Sequence, residues 1–221
     1  MIRLDAFAYA TKKAGTSCFF IEQDVWEFLK ECEDIVKPYG VTLLPEIHEH
    51  YTMQEKIAKE DYYVYDFVLP MLLINALYYG QTQYLKHWFE ICPRKQFTTL
   101  DTHDGIGVVD VKNLLPDEDD AYLLARAVQF FAPGIPQVYY VGLLAGKNDL
   151  KLLEETKVGR NINRHYYTKE EIDAEVKRPV VAELLRMMEF RNSHPAFNGT
   201  FELETCDDDK LVIVRKKGNE W

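Results

Sequence analysis

The apolar and polar positions of the chain follow two rhythms in turn, and each rhythm predicts one kind of element. Five short segments are apolar almost throughout, which is typical of strands buried on both faces of a parallel sheet. The longer segments between them repeat apolar residues every three or four positions, as a helix does. The predicted strands lie at 1–10, 41–51, 62–70, 97–100 and 135–146.

The first predicted helix has both a clear apolar face and a clear stop signal, since it ends at the sequence Pro-Tyr-Gly at 38–40. Its apolar face is formed by Val25, Phe28, Leu29, Cys32 and Ile35. Further helices are predicted at 71–80, 81–91, 119–134 and 171–192, the last interrupted near Pro179. Helices that alternate with buried strands predict an α/β fold with helices on both faces of the sheet.

The end of the chain follows a different pattern. The segments 199–205 and 210–217 are rich in β-favouring residues and flank the turn Cys-Asp-Asp-Asp. Two such segments around a polar turn predict an antiparallel hairpin. The change from strand–helix units to a hairpin indicates the start of a second, all-β module.

Charge and cysteine content narrow the class of protein. The net charge of −10 over 221 residues argues against a nucleic-acid or anionic-membrane surface, where a basic patch is expected. No apolar run approaches the ~20 residues of a membrane span. The four cysteines are scattered, without the spacing of a zinc site or a disulfide framework. We expect a cytoplasmic enzyme with reduced thiols and no metal.

Polar side chains gather where three of the predicted strands end. They are Arg3 with Asp5, Glu46 with His48, and His103 with Asp104. In a β/α barrel the functional residues lie at the carboxyl ends of the strands. Each residue alone is as readily explained as a cap or a salt bridge, but three successive clusters indicate a site.

These residues suit the chemistry of a retaining glycosidase, in which one carboxylate attacks the sugar and another protonates the leaving group. Arg3 and Asp5 point to the same face of a strand, so Arg3 would keep Asp5 ionised as a nucleophile. Glu46 closes an apolar strand, which favours a protonated general acid. Asp104 would stabilise the transition state, and His103 would donate a hydrogen bond to a sugar hydroxyl.

Several segments together resemble the sucrose phosphorylase family, which belongs to the retaining α-amylase-type clan of glycoside hydrolases. They are IRLDAFAYATKKAGTSCFFIE, LLPEIHEHYTMQEKIA, YYVYDFVLP, QFTTLDTHDGIGVVDV, the segment from FFAPGIPQVYY to NRHYY, and KRPVV. The resemblance implies that Asp5 is the nucleophile and Glu46 the acid/base. It further implies that Asp104 stabilises the transition state, with His103 beside it, and that Arg164 contacts the glucosyl unit.

The resemblance also implies the substrates and the architecture. Sucrose and inorganic phosphate would give α-glucose 1-phosphate and fructose, without a cofactor. Residues 1–195 would form about strands 4 to 8 of a (β/α)8 TIM barrel, lacking an insertion of the family near 117–122. Residues 196–221 would be the first hairpin of a C-terminal β domain. A truncated or internally shortened copy is therefore expected, with a second copy or a separate first barrel half as its partner.

The sequence leaves other functions of the chain, and another role of Arg164, open. A relative within the same clan would use sucrose 6′-phosphate or glucosylglycerate, and the acceptor loop that distinguishes them is not present in the sequence. A chain of this length is also compatible with an inactive fragment that serves as an interaction module. For Arg164, the plain alternative is a surface salt bridge with an acidic residue such as Glu170.

Overall fold

The computed structural model of the protein describes residues 1–104 and 118–221. In the described ranges short strands and helices alternate as far as Gln137, with two successive helices after the third strand, and four helices follow the fifth strand. The strands are β1 (Ile2–Leu4), β2 (Leu43–Pro45), β3 (Val64–Asp66), β4 (Gln96–Thr99), β5 (Ile135–Gln137), β6 (Thr200–Leu203) and β7 (Ile213–Lys216). The helices are α1 (Glu22–Val36), α2 (Tyr51–Lys59), α3 (Leu69–Tyr79), α4 (Gln83–Ile91), α5 (Glu118–Phe131), α6 (Tyr140–Leu143), α7 (Leu150–Thr156), α8 (Lys169–Glu175) and α9 (Pro179–Ser193).

Helix α1 confirms the clearest of the predicted elements. Val25 and Leu29 are fully buried on its inner face. The helix passes into a 3-10 turn at Lys37–Tyr39, and Gly40 ends it in the left-handed conformation with a φ of 65°. Ile35 was expected on the buried face but is 70% exposed, because it lies in the last turn of the helix.

Two predicted strands are wrong over part of their length. In the segment 62–70 only β3 is extended, and Leu69 and Pro70 open α3, where a proline in the first turn costs no hydrogen bond. In the segment 135–146 only β5 is extended, and α6 follows it. Both segments are apolar throughout, so their sequence pattern does not separate a buried strand from a buried helix.

The chain divides into two compact units. The first comprises residues 1–67 and 92–97. In it β1 pairs with β2 in parallel, and β3 neighbours β4. Its core is formed by Phe7, Ala8, Val25, Leu29, Leu43, Ile47, Ile57 and Val64. The parallel pairing of β1 and β2 confirms the sheet type that the sequence predicts for this segment.

The second unit comprises residues 68–91 and 98–221. Strand β4 continues into it and has β5 as a neighbour, while α5 packs against α9 and α3. Strands β6 and β7 form the predicted antiparallel hairpin, with Thr200 opposite Lys216. The Phe201 ring of β6 meets the buried Phe89 ring of α4 edge-on at 5.8 Å. The hairpin therefore packs on helices of its own unit.

The predicted division into 1–195 and 196–221 stays a prediction, since the two compact units follow other boundaries. The predicted shortening near 117–122 lies partly outside the described residues. All four cysteines lie in the described ranges, and none of them forms a disulfide there. Within those ranges, no helix is both long enough and apolar enough to cross a membrane.

The carboxyl end of α5 is held by two arginines. Arg215 of β7 donates from Nε to the carbonyl of Phe131 at 3.0 Å and from Nη2 to the carbonyl of Ala132. Arg191 of α9 donates from Nε to the carbonyl of Phe130 at 2.8 Å. The last carbonyls of a helix lack partners within the helix, so these donors satisfy groups that would otherwise be buried and unpaired.

We expect Arg215→Ala to lower the free energy of unfolding by about 2–4 kcal/mol, since hydrogen bonds from a charged donor are lost and buried carbonyls lose their partner. The measurement is urea unfolding followed by circular dichroism. Arg186→Ala is the matched control, because the Arg186 side chain is 70% exposed and, among the described residues, forms its ion pair with Glu183 of the same helix. Its effect should stay within about 0.5 kcal/mol. Equal effects of the two substitutions would contradict this role of Arg215.

Candidate active site

The ends of β1 and β2 bring two of the predicted site residues side by side. The two strands pair in parallel, with Leu4 opposite Pro45. Asp5 follows Leu4 and Glu46 follows Pro45, so both carboxylates leave the strand pair at the same end. The peptide N–H of Glu46 donates to the carbonyl of Leu4 at 2.9 Å and extends the pairing up to the site.

Arg3 joins these two carboxylates through one guanidinium group. Its Nη1 lies 2.6 Å from Oδ1 of Asp5, and its Nη2 lies 2.7 Å from Oε1 of Glu46. The Asp5 side chain is 68% exposed, whereas that of Glu46 is 15% exposed. One carboxylate therefore faces solvent and the other is largely enclosed, although both bind the same cation.

The electrostatics of Arg3 are dominated by its carboxylate partners. Burial acts to lower the pKa of Arg3, but the hydrogen bond and the charge of Glu46, with smaller contributions from Tyr65 and Asp5, raise it above its ordinary value. The guanidinium carbon also lies 5.9 Å from the centre of the Tyr65 ring, within range of a cation–π contact. Arg3 is thus a permanent positive charge between two acids.

The sequence predicts apolar surroundings for Glu46, and the structure gives it both apolar and polar neighbours. The preceding strand is buried over its whole length, as expected. The carboxylate itself has polar partners as well, since the peptide N–H of Ala6 donates to Oε2 at 3.0 Å. Ala6 adopts the left-handed conformation with a φ of 45°, which costs a residue with a Cβ about 1–2 kcal/mol. The residue that donates this hydrogen bond to Glu46, and that directly follows Asp5, is therefore the one with the strained backbone.

A second cluster lies in the second unit and is centred on Asp104. Oδ1 of Asp104 lies 3.2 Å from Nη2 of Arg164 and 3.4 Å from Nη1 of Arg160. Its Oδ2 lies 3.3 Å from Nε2 of His103. Arg164 therefore pairs with Asp104, and not with Glu170 as the plain alternative supposed. Three of the residues predicted from the sequence meet here.

The backbone of this cluster is fixed by the segment that carries Arg164. Nε of Arg164 donates to the carbonyl of His103 at 2.6 Å, and Nδ2 of the buried Asn163 donates to the carbonyl of Thr102 at 2.8 Å. The peptide N–H of Asp104 donates to Oγ1 of Thr102 at 3.2 Å. The same segment thus binds both the carboxylate and the main chain of the turn.

Sequence reasoning missed Arg160 and Asn163 as members of this cluster. Both lie in the 3-10 turn Gly159–Asn163, directly before Arg164. The available signal was spacing, since Arg160 and Arg164 are four residues apart in a polar segment. A helical turn places such residues on one side.

The histidines near the two clusters take part in packing and hydrogen bonding. His48 stacks on Phe67 with ring centres 4.4 Å apart. His165 Nδ1 lies 2.6 Å from Oδ2 of Asp149, the residue that caps α7. Over the ranges 1–104 and 118–221, no group of three or more His, Cys, Asp or Glu side chains is arranged to hold a metal ion.

Comparison with solved structures identifies the fold. The alpha-amylase from H. orenii superimposes with a TM-score of 0.70 at 18% identity, covering 98% of this chain and 48% of that chain. The crystal structure of sucrose 6F-phosphate phosphorylase from Thermoanaerobacter thermosaccharolyticum superimposes with a TM-score of 0.91 at 41% identity, covering 97% of this chain and 52% of that chain. The chain is therefore part of an α-amylase-type (β/α)8 TIM barrel, as the sequence predicted.

Comparison with curated relatives shows which enzymes the chain resembles among those with this fold. Sucrose phosphorylase from Streptococcus mutans serotype c is 50% identical over 262 residues, which cover 98% of this chain and 54% of the relative. Glucosylglycerol phosphorylase from Marinobacter adhaerens is 40% identical over 266 residues, covering 100% of this chain and 55% of the relative. No family model matches. The chain is a homologue of the sucrose phosphorylases and of related phosphorylases.

The alignments cover only part of each relative. The chain spans about half the length of the curated relatives it matches. The alignment with the Streptococcus mutans relative also runs over 262 positions, more than the 221 residues of this chain, so that relative has residues without a counterpart here. Both features agree with the partial, internally shortened barrel expected from the sequence.

Proposed function

We propose that this chain takes part in glucosyl transfer from sucrose to inorganic phosphate, with retention of configuration at the anomeric carbon. The observation that carries the proposal is the guanidinium of Arg3, which binds Asp5 and Glu46 at the ends of two paired strands. Two carboxylates on one guanidinium fit the separation of about 5 Å that retaining glycosidases use. They also differ in exposure, as a nucleophile and an acid/base should.

In the first step the exposed Asp5 carboxylate attacks the anomeric carbon of the glucosyl unit. The bond from this carbon to the fructosyl oxygen breaks, and Glu46 transfers its proton to that oxygen, so that fructose leaves. A β-glucosyl ester of Asp5 remains. Arg3 suits this step because it holds Asp5 ionised and oriented before the attack.

In the second step an oxygen of inorganic phosphate attacks the same carbon from the other side. The ester bond to Asp5 breaks, Glu46 takes up the phosphate proton, and α-glucose 1-phosphate leaves. Two inversions give net retention. Asp5 and Glu46 are returned to their starting states.

For the cluster around Asp104, the roles follow the family resemblance. Asp104 would stabilise the positive charge that develops on the sugar ring, and His103 and Arg164 would donate hydrogen bonds to its hydroxyls. The short contacts of Arg164 with the carboxylate of Asp104 and the carbonyl of His103 support a preorganised unit of this kind.

Sucrose is the proposed donor because the Streptococcus mutans relative, 50% identical to this chain, is named sucrose phosphorylase. Other relatives are named for glucosylglycerol, sucrose 6(F)-phosphate and glucosylglycerate. These donors share a transferable glucosyl unit and differ in the leaving group. The test therefore compares these four donors.

The experiment measures glucose 1-phosphate formed from phosphate and each of the four donors. The chain is assayed alone and after co-expression with the segment of the Streptococcus mutans relative that precedes the aligned region, with size-exclusion chromatography of both samples. We expect no turnover and an oligomer or aggregate for the chain alone, because the half-barrel leaves strand edges exposed. Complementation should yield turnover with sucrose.

Each of the other outcomes would change the proposal in a different way. Turnover with another donor would replace sucrose in the proposal, and turnover by a monomer alone would overturn the need for a partner. A soluble complemented sample without turnover on any donor would overturn the proposed function and favour an interaction module.

A further inference from the structure

A buried ion pair lies just before the turn that carries His103 and Asp104. Nη2 of Arg126 binds Oδ2 of Asp101 at 2.8 Å, and the two side chains are 0% and 3% exposed. Burial acts to lower the pKa of Arg126, but the charges and hydrogen bonds of Asp101 and Tyr122 together raise it above its ordinary value. A fully buried pair of this kind is costly unless all its polar atoms find partners.

The other nitrogens of Arg126 are used as well. Nε donates to the hydroxyl of Tyr122 and Nη1 to Oε1 of Gln129, both at 2.9 Å. Gln129 in turn donates to the carbonyls of Thr98 and Gln137 at 2.8 Å. The guanidinium on α5 thereby links the end of β4 with the end of β5.

Helix α6 closes over this network at its glycine. The Tyr122 hydroxyl donates to the carbonyl of Gly142. A Cβ at Gly142 would lie 1.7 Å from Oδ2 of Asp101 and 2.1 Å from Nη2 of Arg126, so no other residue fits without moving the ion pair. The backbone of α6 therefore presses directly on the Asp101–Arg126 contact.

The ion pair also anchors one end of the turn. The carbonyl of Asp101 accepts from Oγ1 of Thr99 at 2.7 Å, while its carboxylate accepts from Nη2 of Arg126. Asp104 lies three residues further on, and the carbonyls of the two residues between them, Thr102 and His103, accept from Asn163 and Arg164. The turn is thus held between a buried anchor and the arginine segment.

We propose that Asp101 and Arg126 are positioning residues, which set the place of the Asp104 carboxylate for glucosyl transfer. The proposal rests on the proposed function for its chemical meaning. Stabilisation of a developing charge depends on distance, and a displacement of about 1 Å costs on the order of 10²-fold in rate. Neither residue touches the sugar; both act through the turn.

The test separates positioning from stability with a charge-neutral double variant, made in the complemented protein. Asp101→Asn or Arg126→Met alone leaves a buried charge unpaired and should lower the melting temperature. Combining the two removes both charges and should restore most of the melting temperature. We expect kcat of the double variant to remain at least about 10²-fold low, with KM within about threefold. Recovery of the parental kcat together with stability would overturn the proposal.

Gly142→Ala provides a second variant that changes no polar group. It should lower kcat to a similar degree because its methyl group displaces Asp101 from Arg126. Gly159→Ala is the matched control, since a Cβ there meets nothing within 4 Å. Parental kcat in a folded Gly142→Ala variant would contradict the proposal.

Hydrogen exchange gives a readout that does not depend on activity. In the double variant the peptide amides of residues 102–104 should exchange at least about tenfold faster, while those of α9 keep the parental rate. Unchanged exchange in the turn would overturn the positioning role. If the parent protein makes no glucose 1-phosphate, the proposed function fails, and the exchange rates still decide whether the ion pair fixes the turn.

Discussion

Asp5→Asn should abolish glucose 1-phosphate formation in the complemented protein, with a fall in kcat of about 10⁴-fold or more. The asparagine amide is a very poor nucleophile, so the covalent intermediate no longer forms, and loss of a covalent catalyst costs several orders of magnitude. The contact with Arg3 would be weakened but the exposed side chain leaves no cavity, so the fold should persist. Turnover and melting temperature are measured on the same samples.

The control for this substitution is Asp34→Asn. Asp34 is also an exposed aspartate bound to a cation, Lys30, on the surface of α1. We expect kcat to stay within about twofold of the parent, since an exposed helix ion pair contributes little. Activity of Asp5→Asn within tenfold of the parent would exclude Asp5 as the nucleophile.

Glu46→Gln should slow transfer from sucrose by about 10²–10⁴-fold, the usual contribution of a general acid. Transfer from α-glucosyl fluoride to phosphate should fall far less in its first step, because fluoride leaves without prior protonation. The ratio of the two rates isolates proton donation from sugar binding, and it is obtained from single-turnover release of fructose or fluoride, which reports the first step alone.

Glu27→Gln is the matched control for Glu46, since Glu27 is exposed on α1 and accepts a hydrogen bond only from Gln23 among the described contacts. Its rates with both donors should equal those of the parent. Equal losses with sucrose and with the fluoride in Glu46→Gln would mean that Glu46 positions the sugar and is not the proton donor.

Local patterns predicted the elements near the first cluster well. The helical spacing of Val25 and Leu29 and the stop at Gly40 depend on neighbouring residues alone, and α1 agrees with them. That Asp5 and Glu46 lie side by side follows from the parallel pairing of β1 and β2, which the sequence of each strand alone does not contain. The helices α2 and α7 were not predicted, since segments of nine and seven residues are too short to show a clear helical period.

The sequence did not reveal the ion pair of Asp101 and Arg126, because its partners are separated by 25 residues and meet only through tertiary packing. The same long-range contact explains the wrong strand in 135–146. A chain that passes so close to Asp101 requires Gly142, and the apolar pattern alone contains no information on that approach. Contacts that depend on tertiary packing thus set the limit of prediction here.

The single guanidinium shared by Asp5 and Glu46 has a consequence for charge along the proposed reaction. Before the attack, Asp5 is an anion and Glu46 is protonated; after it, Asp5 is a neutral ester and Glu46 is the anion. Arg3 contacts both, so one cation faces one anion in each state. Negative charge passes from one carboxylate to the other while these three side chains together stay electroneutral, until phosphate, itself an anion, enters for the second half-reaction.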